Sequence, residues 1–537
     1  MRTLLITVAA LVLGIVPSEA AERRVSVKQA EAAMKAATEY MMDKVSYRGG
    51  FASSYLADLS RQWGEMESKR SMVWTQYPAT PAMGNILLDA YHATGDEYYY
   101  QAAQKVASAL IAGQLECGGW NYVFDMEGEE SLKDWYNTVG AAGWRLEEYQ
   151  HYYGNATFDD SCSTDCGEYL LRFYLEKKDP LVLKALDRFI DFVLESQYPC
   201  GGWPQRYPLM YDHPFRGKAD YTSFITLNDS VIPECIEFLL KCCSALGRPE
   251  LKEPVYRAIY LTLVLQQGKP YSGWSDQYTV PDLKPAHARS YEPVGVNTGT
   301  TAKMISLMYR FYGLTGDSRF LAGIPSAIDF LESQALPESE VRKSGKMLAP
   351  GSVMMPRFVD PVTGEPHYVH REGTNVYNGQ YFYDTDISNT IGHYSSTYTA
   401  DITALRKQYE SVLATPVADL VKDSPLLESG VPAFERFFFK PSAIPGDSES
   451  LVREYVYQLR KEGFWFTVLR NTSNPYKKCA DAAPSHETVY VSTNVGDEYD
   501  TSPYRSAVPE KGIYVPDYIN RMSLIIKYIT EYEETER

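Results

Sequence analysis

The feature that most constrains the fold is a repeat of paired helical segments. Residues 90–120, which end in Cys117-Gly-Gly-Trp120, recur as residues 173–203, which end in Cys200-Gly-Gly-Trp203, an offset of 83 residues. A looser copy ends at Trp274, and another covers residues 311–334. A pair of helices cannot bury its apolar face alone, so successive units stack against their neighbours. The repeat therefore predicts stacked helical hairpins.

The second copy shows how each helix is built. Val182, Leu186, Phe189 and Val193 follow the spacing of a helix that buries one face, and Gly201-Gly202 ends the unit. Strand-like alternation is scarce. We therefore expect a mainly α protein, an α/α toroid or incomplete barrel of helical hairpins, with long loops and a few short strands at one face.

The chain divides into four parts. Residues 1–20 read as a signal peptide, with Arg2, an apolar run from Leu4 to Val16 and the small-residue pattern Ser18-Glu-Ala20. Residues 21–114 are predicted to be N-terminal hairpins, 115–400 a catalytic α/α region, and 401–537 a helical and loop extension that closes the toroid. The apolar run is too short for a membrane span. The sequence predicts a secreted protein, periplasmic or extracellular, and we expect a monomer.

Composition excludes some partners and leaves disulfides open. The formal net charge is −17, with 69 acidic and 52 basic residues and no basic run, so nucleic acid is excluded. The same balance disfavours a polyanionic sugar unless cations are concentrated locally or a metal bridges the anions. Eight cysteines are present, and export would permit disulfides. Cys117, Cys162, Cys166 and Cys200 could include a bridge or act as small buried hydrophobes.

Three loop segments combine aromatic, cationic and carboxylate groups with helix breakers. They are residues 199–208, residues 226–229 and residues 274–292. The Gly-Gly-Trp loops fall at equivalent ends of successive hairpins, so they are expected on one face, where binding residues gather. This composition is typical of a carbohydrate site. Two structural alternatives remain, because Asp229 or Ser230 could cap the helix that follows and the aromatic rings could pack between helices.

As an ordered set, these segments resemble the family-10 polysaccharide lyases, the calcium-assisted pectate lyases. The similarity covers roughly residues 115–395. The matching segments are Gly201-Gly-Trp-Pro-Gln205, Asn228-Asp229, the loop from Trp274 through Gln277 and Ala288-Arg289 to Tyr291-Glu292, Arg357-Phe-Val-Asp360 and Arg371-Glu-Gly373.

The resemblance implies β-elimination of 4-linked polygalacturonate, or of a related polyuronide, with calcium assistance and an arginine base. It implies catalytic roles for Arg357, the first choice as base by spacing, for Arg371 and for Asp229. The implied substrate-binding residues are Trp203, Gln205, Arg206, Lys218, Asn228, Trp274, Gln277 and Arg289. The implied metal ligands are Asp229, Asp276 and Asp282.

One position departs from the family pattern. Thr279 stands where the family has a metal-holding aspartate, and Tyr278 replaces a histidine. A weakened calcium site is therefore expected, with Asp276 and Asp282 as flanking substitutes. Asp159-Asp160, which sits where the family has a polar turn, is a further candidate.

Two other functions remain open from sequence. A glycoside hydrolase on a similar toroid would use two carboxylates such as Asp229 and Asp276 as acid and base. A non-catalytic glycan-binding relative would have lost turnover with the aspartate at Thr279. The products discriminate among them, because only a lyase creates an unsaturated uronide that absorbs ultraviolet light.

Overall fold

The computed structural model describes residues 24–142, 147–210, 219–372, 380–388, 390, 395–427, 448–469 and 510–536. The predicted signal peptide, Lys218 and Cys479 lie outside the described residues. Within the described ranges, no helix is both long and apolar enough to cross a membrane.

Helices account for most of the regular structure. They are α1 (Val27–Tyr40), α2 (Thr80–Thr94), α3 (Glu97–Gly113), α4 (Glu129–Thr138), α5 (Cys162–Lys177), α6 (Pro180–Ser196), α7 (Val231–Leu246), α8 (Lys252–Leu265), α9 (Thr298–Thr315), α10 (Arg319–Ala322), α11 (Ile324–Ser333), α12 (Glu338–Lys343), α13 (Ile402–Ala414), α14 (Val417–Val421), α15 (Ser448–Glu462) and α16 (Val515–Glu536).

The helices form two layers. In the inner layer α16 packs on α2, α2 on α5 and α5 on α7, while α9 adjoins α7 through the Arg310–Glu237 ion pair. The outer helices α3, α6, α8 and α11 each pair with the inner helix that precedes them in the chain, and α1 packs on α16. The protein is therefore an incomplete α/α toroid, and the predicted mainly α fold class is confirmed.

The repeated tryptophans hold each hairpin to its own loop. Trp120, Trp203 and Trp274 are fully buried, and each indole N–H donates to a backbone carbonyl near the C-terminal end of the preceding outer helix. The acceptors are the carbonyls of Leu110, Val193 and Thr262, at 2.8, 2.8 and 2.9 Å. Burial of an aromatic ring together with its N–H makes each loop return onto its helix.

The repeated glutamines and glycines hold neighbouring hairpins together. Gln197 donates to the carbonyls of Gly201 in its own loop and Pro254 in the next hairpin, and accepts from Arg257 at 2.6 Å. Gly201 has φ +108°, and a Cβ there would lie 2.5 Å from the backbone of Arg257. Gln114 and Gly118 make the same contacts one hairpin earlier. The sequence repeat therefore encodes the stacking of one hairpin on the next.

The strands are short and lie mostly in the connecting loops. They are β1 (Ser54–Leu56), β2 (Gln62–Trp63), β3 (Glu67–Ser68), β4 (Met72–Trp74), β5 (Val123–Asp125), β6 (Ala156–Thr157), β7 (Arg206–Tyr207), β8 (Ile225–Thr226), β9 (Gln277–Tyr278), β10 (Pro285–Ala286), β11 (Val296–Asn297), β12 (Ser352–Pro356), β13 (Phe358–Val359), β14 (Pro366–Glu372), β15 (Gln380–Asp384), β16 (Thr397–Asp401), β17 (Thr467–Leu469) and β18 (Glu510–Tyr514).

Three antiparallel sheets matter for the site. The sheet β10-β9-β8 and the ladder of β6 with β7 carry the loops before α5 and α7. A third sheet, in the order β11-β13-β14-β15, begins with the strand that directly precedes α9. A five-stranded sheet, β17-β18-β1-β2-β3, joins the two ends of the chain. The division of the chain at residues 115 and 400 stays a prediction.

The cysteines could have formed a disulfide bridge or acted as small buried side chains, and the structure shows the second arrangement. All seven described cysteines are free, and Cys162, Cys166, Cys235, Cys242 and Cys243 are buried. Cys117 and Cys200 lie half-buried in the loops just before the paired glycines. Among the described residues, cysteine therefore acts as a small core side chain.

Replacement of Gly201 by alanine tests the stacking contact. Gly201→Ala should destabilise the protein by roughly 2–4 kcal/mol, because the added Cβ meets the Arg257 backbone and L residues disfavour this φ. Gly247→Ala is the matched control, since Gly247 also has a positive φ but has open space around it. Urea unfolding measures both, and equal losses for the two variants would contradict the proposed role of the contact.

Candidate functional site

Two acidic turns lie side by side at the start of inner helices α5 and α7. The segments Thr157-Phe-Asp-Asp-Ser161 and Thr226-Leu-Asn-Asp-Ser230 each follow a two-residue strand. Asp160 and Asp229 have φ values of 49° and 51°, and the serine after each has φ 61° or 62°. Left-handed backbone costs a non-glycine residue about 1–2 kcal/mol. Strain of this kind, repeated in two adjacent turns, is typical of a functional site.

The turns bring three carboxylates together. Asp159, Asp160 and Asp229 each place one carboxylate oxygen within 4.8 Å of the others. Asp159 is fully buried, whereas the side chain of Asp229 keeps 30% of its surface exposed. We call these three residues the acidic cluster. It therefore opens to solvent on the Asp229 side.

Arg289 is the cation against which the acidic cluster packs. Its Nη2 donates to Asp159 Oδ2 at 2.7 Å, and its Nε donates to Glu148 Oε2 at 3.2 Å. Its Nη1 lies 3.3 Å from Glu292 Oε1 and 3.9 Å from Asp229 Oδ2. The Arg289 side chain is 3% exposed. One buried guanidinium therefore faces four carboxyl groups, and it cannot neutralise all of them.

The crowding of carboxyl groups around one cation shifts the pKa values of the acidic cluster in opposite directions. Burial and the charge of Asp159 raise the pKa of Asp229 well above its usual range. Burial and the charges of Asp159 and Glu65 raise the pKa of Asp160 to about 7. Burial opposes ionisation of Asp159 too, but the Arg289 guanidinium and hydrogen bonds from Asp229 and Tyr122 outweigh it and lower its pKa. Near neutral pH the acidic cluster therefore holds protons that a cation would displace.

Several oxygens at the acidic cluster lack hydrogen-bond donors. Asp159 Oδ1 and Asn228 Oδ1 are buried and accept no hydrogen bond from any described residue. The Asn228 Nδ2 donates to Asp229 Oδ2 at 2.8 Å, which fixes the amide against the carboxylate. Carboxylate and amide oxygens are the ligands that Ca²⁺ prefers. The donor set therefore fits a hard divalent cation.

Glu234 of α7 connects the first acidic turn to the second hairpin. It accepts hydrogen bonds from the hydroxyls of Ser161, at 2.6 Å, and Thr164, at 3.0 Å. Burial raises the pKa of Glu234 to about 7, although both hydroxyls oppose the shift. Ser161 directly follows Asp160 in the strained turn. This contact therefore helps to set the position of one acidic turn relative to the other.

Three of the residues implied by the family resemblance meet at the acidic cluster, namely Asn228, Asp229 and Arg289. Gln205 is buried beside Asp159 and helps to lower the pKa of that carboxyl. Arg206 is buried near the Tyr122 and Tyr153 rings, at 5.1 and 4.6 Å from their centroids.

Trp203, Trp274 and Gln277 lie in the interior. Both indoles are fully buried in the core, where a sugar cannot reach them. The Gln277 amide, oriented to satisfy its hydrogen bonds, donates to the carbonyls of Tyr221 and His287 at 3.2 Å each. All three side chains therefore make contacts within the fold.

The loop around Thr279 engages its two candidate metal ligands in contacts within the fold. Asp276 is buried, and its carboxylate accepts from Thr300 and, at 2.8 Å, from Asn297 at the start of α9. Asp282 accepts a hydrogen bond from Thr279 and pairs with Lys284 at 2.8 Å. These contacts use the oxygens that were expected to bind calcium, so the structure favours the acidic cluster over this loop.

The two candidate base arginines belong to the sheet β11-β13-β14-β15 or directly precede one of its strands. Arg357 precedes β13, and its Nε donates to the Ser395 carbonyl at 2.6 Å. Its guanidinium also opposes the rise in the pKa of Asp276 that burial causes. Arg371 lies in β14 with its backbone opposite Tyr381, and its side chain is outside the described residues.

The sequence pattern indicates Asp159 and Asp160 only as further candidates, and it gives no indication of Glu148. The signal that could have located the first two is the similarity of Thr157-Phe-Asp-Asp-Ser161 to Thr226-Leu-Asn-Asp-Ser230, each directly before an inner helix. Glu148 has no such signal, because only the folded chain brings it to Arg289.

The raised pKa values predict a pH-dependent stability in calcium-free buffer. The pKa of Asp160 is about 7 in the folded protein and near 4 when unfolded, so the folded state binds the additional proton between these values. The contribution of this group to the free energy of unfolding therefore falls by roughly 2–4 kcal/mol as the pH rises from about 4 to 7. Asp160→Asn should reduce the dependence and Asp282→Asn should not. The melting temperatures at pH 5 and pH 8 measure this pH dependence. An equal change of melting temperature for wild type and Asp160→Asn would contradict the prediction.

Comparisons with known proteins agree with the sequence resemblance. The family model of pectic acid lyase matches residues 131–386. No curated protein matches the chain. Among solved structures, a family 10 polysaccharide lyase from Cellvibrio cellulosa is 16% identical, with a TM-score of 0.39 over 61% of this chain and 97% of that one.

Two further solved structures are similar. A mutant of the Cellvibrio cellulosa lyase, in complex with a trigalacturonic acid, gives the same identity and TM-score and is covered over 98% of its length. An α-1,6-mannanase from a Salegentibacter species is 13% identical, with a TM-score of 0.33 over 94% of this chain and 99% of that one. The family match over residues 131–386 confirms the resemblance drawn from the sequence and supports a polysaccharide lyase.

Proposed function

We propose that the protein is a secreted pectate lyase that cleaves 4-linked polygalacturonate by calcium-assisted β-elimination with an arginine base. The observation that carries the proposal is the acidic cluster, with three carboxylates and two buried oxygens that lack donors beside a single cation. Without a bound cation this surface would repel a polyuronide. A divalent cation between the acidic cluster and a substrate carboxylate removes the conflict.

The residues that would hold calcium are Asp159, Asp160 and Asp229, with the Asn228 amide oxygen beside them. Bound calcium would neutralise charge on the substrate carboxylate and so acidify the adjacent C5 hydrogen. Arg289 keeps Asp159 ionised and oriented, and Asn228 orients Asp229. Metal binding requires Asp160 and Asp229 to lose their protons, so it is favoured above about pH 7.

In β-elimination a base removes the C5 proton of a uronide, the C4–C5 double bond forms, and the C4–O bond breaks. The leaving oxygen takes up a proton. We assign the base to Arg357, with Arg371 as the second choice. Because arginine is protonated at neutral pH, the neutral guanidine that can accept the proton becomes more abundant as the pH rises into the alkaline range. Arg289 is unsuited to this role, because its guanidinium is buried among four carboxyl groups.

The geometry disfavours the hydrolase alternative. Glycoside hydrolases separate their two carboxyl groups by about 5–5.5 Å or 6.5–9.5 Å to admit the sugar or a water molecule. Asp159 and Asp229 place carboxylate oxygens within 4.8 Å of each other, and both face the Arg289 guanidinium. Asp276 is the other carboxylate proposed for a hydrolase, and it accepts hydrogen bonds from Asn297 and Thr300 at the start of α9. These contacts favour a shared cation over a general acid paired with a general base.

The purified protein should release unsaturated uronides from de-esterified polygalacturonate at alkaline pH. A chelator should abolish the ultraviolet absorbance of the products, and added calcium should restore it. In the same assay, Asp229→Asn should raise the calcium concentration for half-maximal rate at least tenfold, because it removes a charged ligand and leaves an amide of similar shape.

Asp282→Asn and Thr279→Asp are the matched controls, since both alter the neighbouring loop, and each should shift this concentration less than twofold. A shift in Asp282→Asn with none in Asp229→Asn would place the metal in the loop and contradict the assignment. New reducing ends without ultraviolet absorbance would contradict the lyase reaction itself.

A further inference from the structure

The first strand of the sheet β11-β13-β14-β15 is hydrogen bonded to Asp276. Asn297 of β11 donates to Asp276 Oδ2 at 2.8 Å. The backbone carbonyl of Asp276 in turn accepts from the N–H groups of Leu227 and Asn228, at 2.7 and 3.2 Å. The first strand of the sheet is therefore tied directly to the turn that carries Asp229.

One face of this sheet continues from Asn297 to its outer edge. Asn297 pairs with Phe358, and Phe358 pairs with His367, so the three side chains share a face. Tyr383 of β15 extends the same row, because its ring lies 4.4 Å from the His367 ring. The row therefore begins at Asn297, beside Asp276, and ends at Tyr383.

The strand β15 presents aromatic rings on both of its faces. Tyr381 lies on the same face as Tyr383, two residues away, and packs against Tyr291 with ring centroids 5.9 Å apart. Tyr291 stands between Arg289 and Glu292 in the site loop. Phe382 points to the opposite face, where it stacks on His370 at 5.1 Å. The Tyr381 and Tyr383 face is therefore the one that adjoins the site.

The Tyr383 ring packs against the His367 ring and remains partly exposed to solvent. His367 is fixed by its Nδ1 contact to the Val294 carbonyl at 3.0 Å and by Asp360 at 3.5 Å. Tyr383 is nevertheless 48% exposed. A large ring held in place with an accessible surface is suited to stacking on the C–H face of a sugar, at little cost in side-chain entropy.

We propose that Tyr383, supported by His367, forms an accessory subsite that stacks on a uronide residue of the bound chain beyond those at the acidic cluster. This inference rests on the proposed lyase function and adds a means of holding a long substrate. The occupant follows from continuity, since Asp276 links the start of this row to the Asp229 turn and Tyr381, on the same face as Tyr383, packs against Tyr291 of the site loop. A subsite that binds the substrate equally well in the ground state and the transition state lowers KM for the polymer and leaves kcat unchanged.

The test compares two aromatic residues on opposite faces of one strand. Tyr383→Ala should weaken binding to polygalacturonate roughly three- to tenfold, measured by retardation in gels that contain the polymer, and raise KM by the same factor at unchanged kcat. Phe382→Ala is the matched control, because Phe382 is 42% exposed on the other face, and it should change neither quantity more than twofold. Tyr383→Trp should retain wild-type values.

The outcomes separate the subsite from the enzyme. Equal effects of Tyr383→Ala and Phe382→Ala, or a loss confined to kcat, would overturn the subsite while leaving the lyase function intact. A wild-type protein that neither binds nor cleaves polygalacturonate would overturn the proposed function, and the subsite with it.

Discussion

The site depends on one buried guanidinium. Arg289 joins Asp159, Glu148, Glu292 and Asp229, which come from separate stretches of the chain, and it does so almost without contact with water. Its hydrogen bond to Asp159 Oδ2 leaves the other oxygen of that carboxylate without a donor. Because one cation faces four acids, the remaining negative charge must be met by protons or by a divalent cation. The affinity of the acidic cluster for protons and its affinity for calcium therefore have the same origin.

The toroid explains why the acids lie together. Each hairpin is stacked on the next by a glutamine, a positive-φ glycine and a buried tryptophan, so equivalent loops of successive hairpins lie side by side. Two such loops end in the same strained turn before α5 and α7, and Glu234 ties the first turn to the helix of the second. The stacking of the hairpins offsets the free-energy cost of the strained backbone and of the repulsion between the carboxylates. We infer that the stability of the fold is what keeps the acidic cluster assembled in the absence of metal.

The sequence predicted the architecture because the stacking contacts are themselves the repeated residues. It also brought forward Asn228, Asp229 and Arg289, which the structure places in one site. Its emphasis on Trp203 and Trp274 as sugar contacts did not foresee their burial, because a Gly-Gly-Trp loop has the composition of a binding loop whether its ring faces the sugar or the core. Asp276 and Asp282 were expected as ligands from their position near Thr279, but hydrogen bonds to Thr300, Asn297 and Thr279 depend on folded geometry that spacing does not reveal.

The most direct test of this account is a crystal structure of the protein grown with calcium at about pH 8, with the ion located by its anomalous signal. The account predicts an ion bound by carboxylate oxygens of Asp159, Asp160 and Asp229 and by the Asn228 amide oxygen, at about 2.3–2.6 Å. Arg289 should keep its contact with Asp159. An ion held instead by Asp276 or Asp282, with none at the acidic cluster, would contradict the central claim.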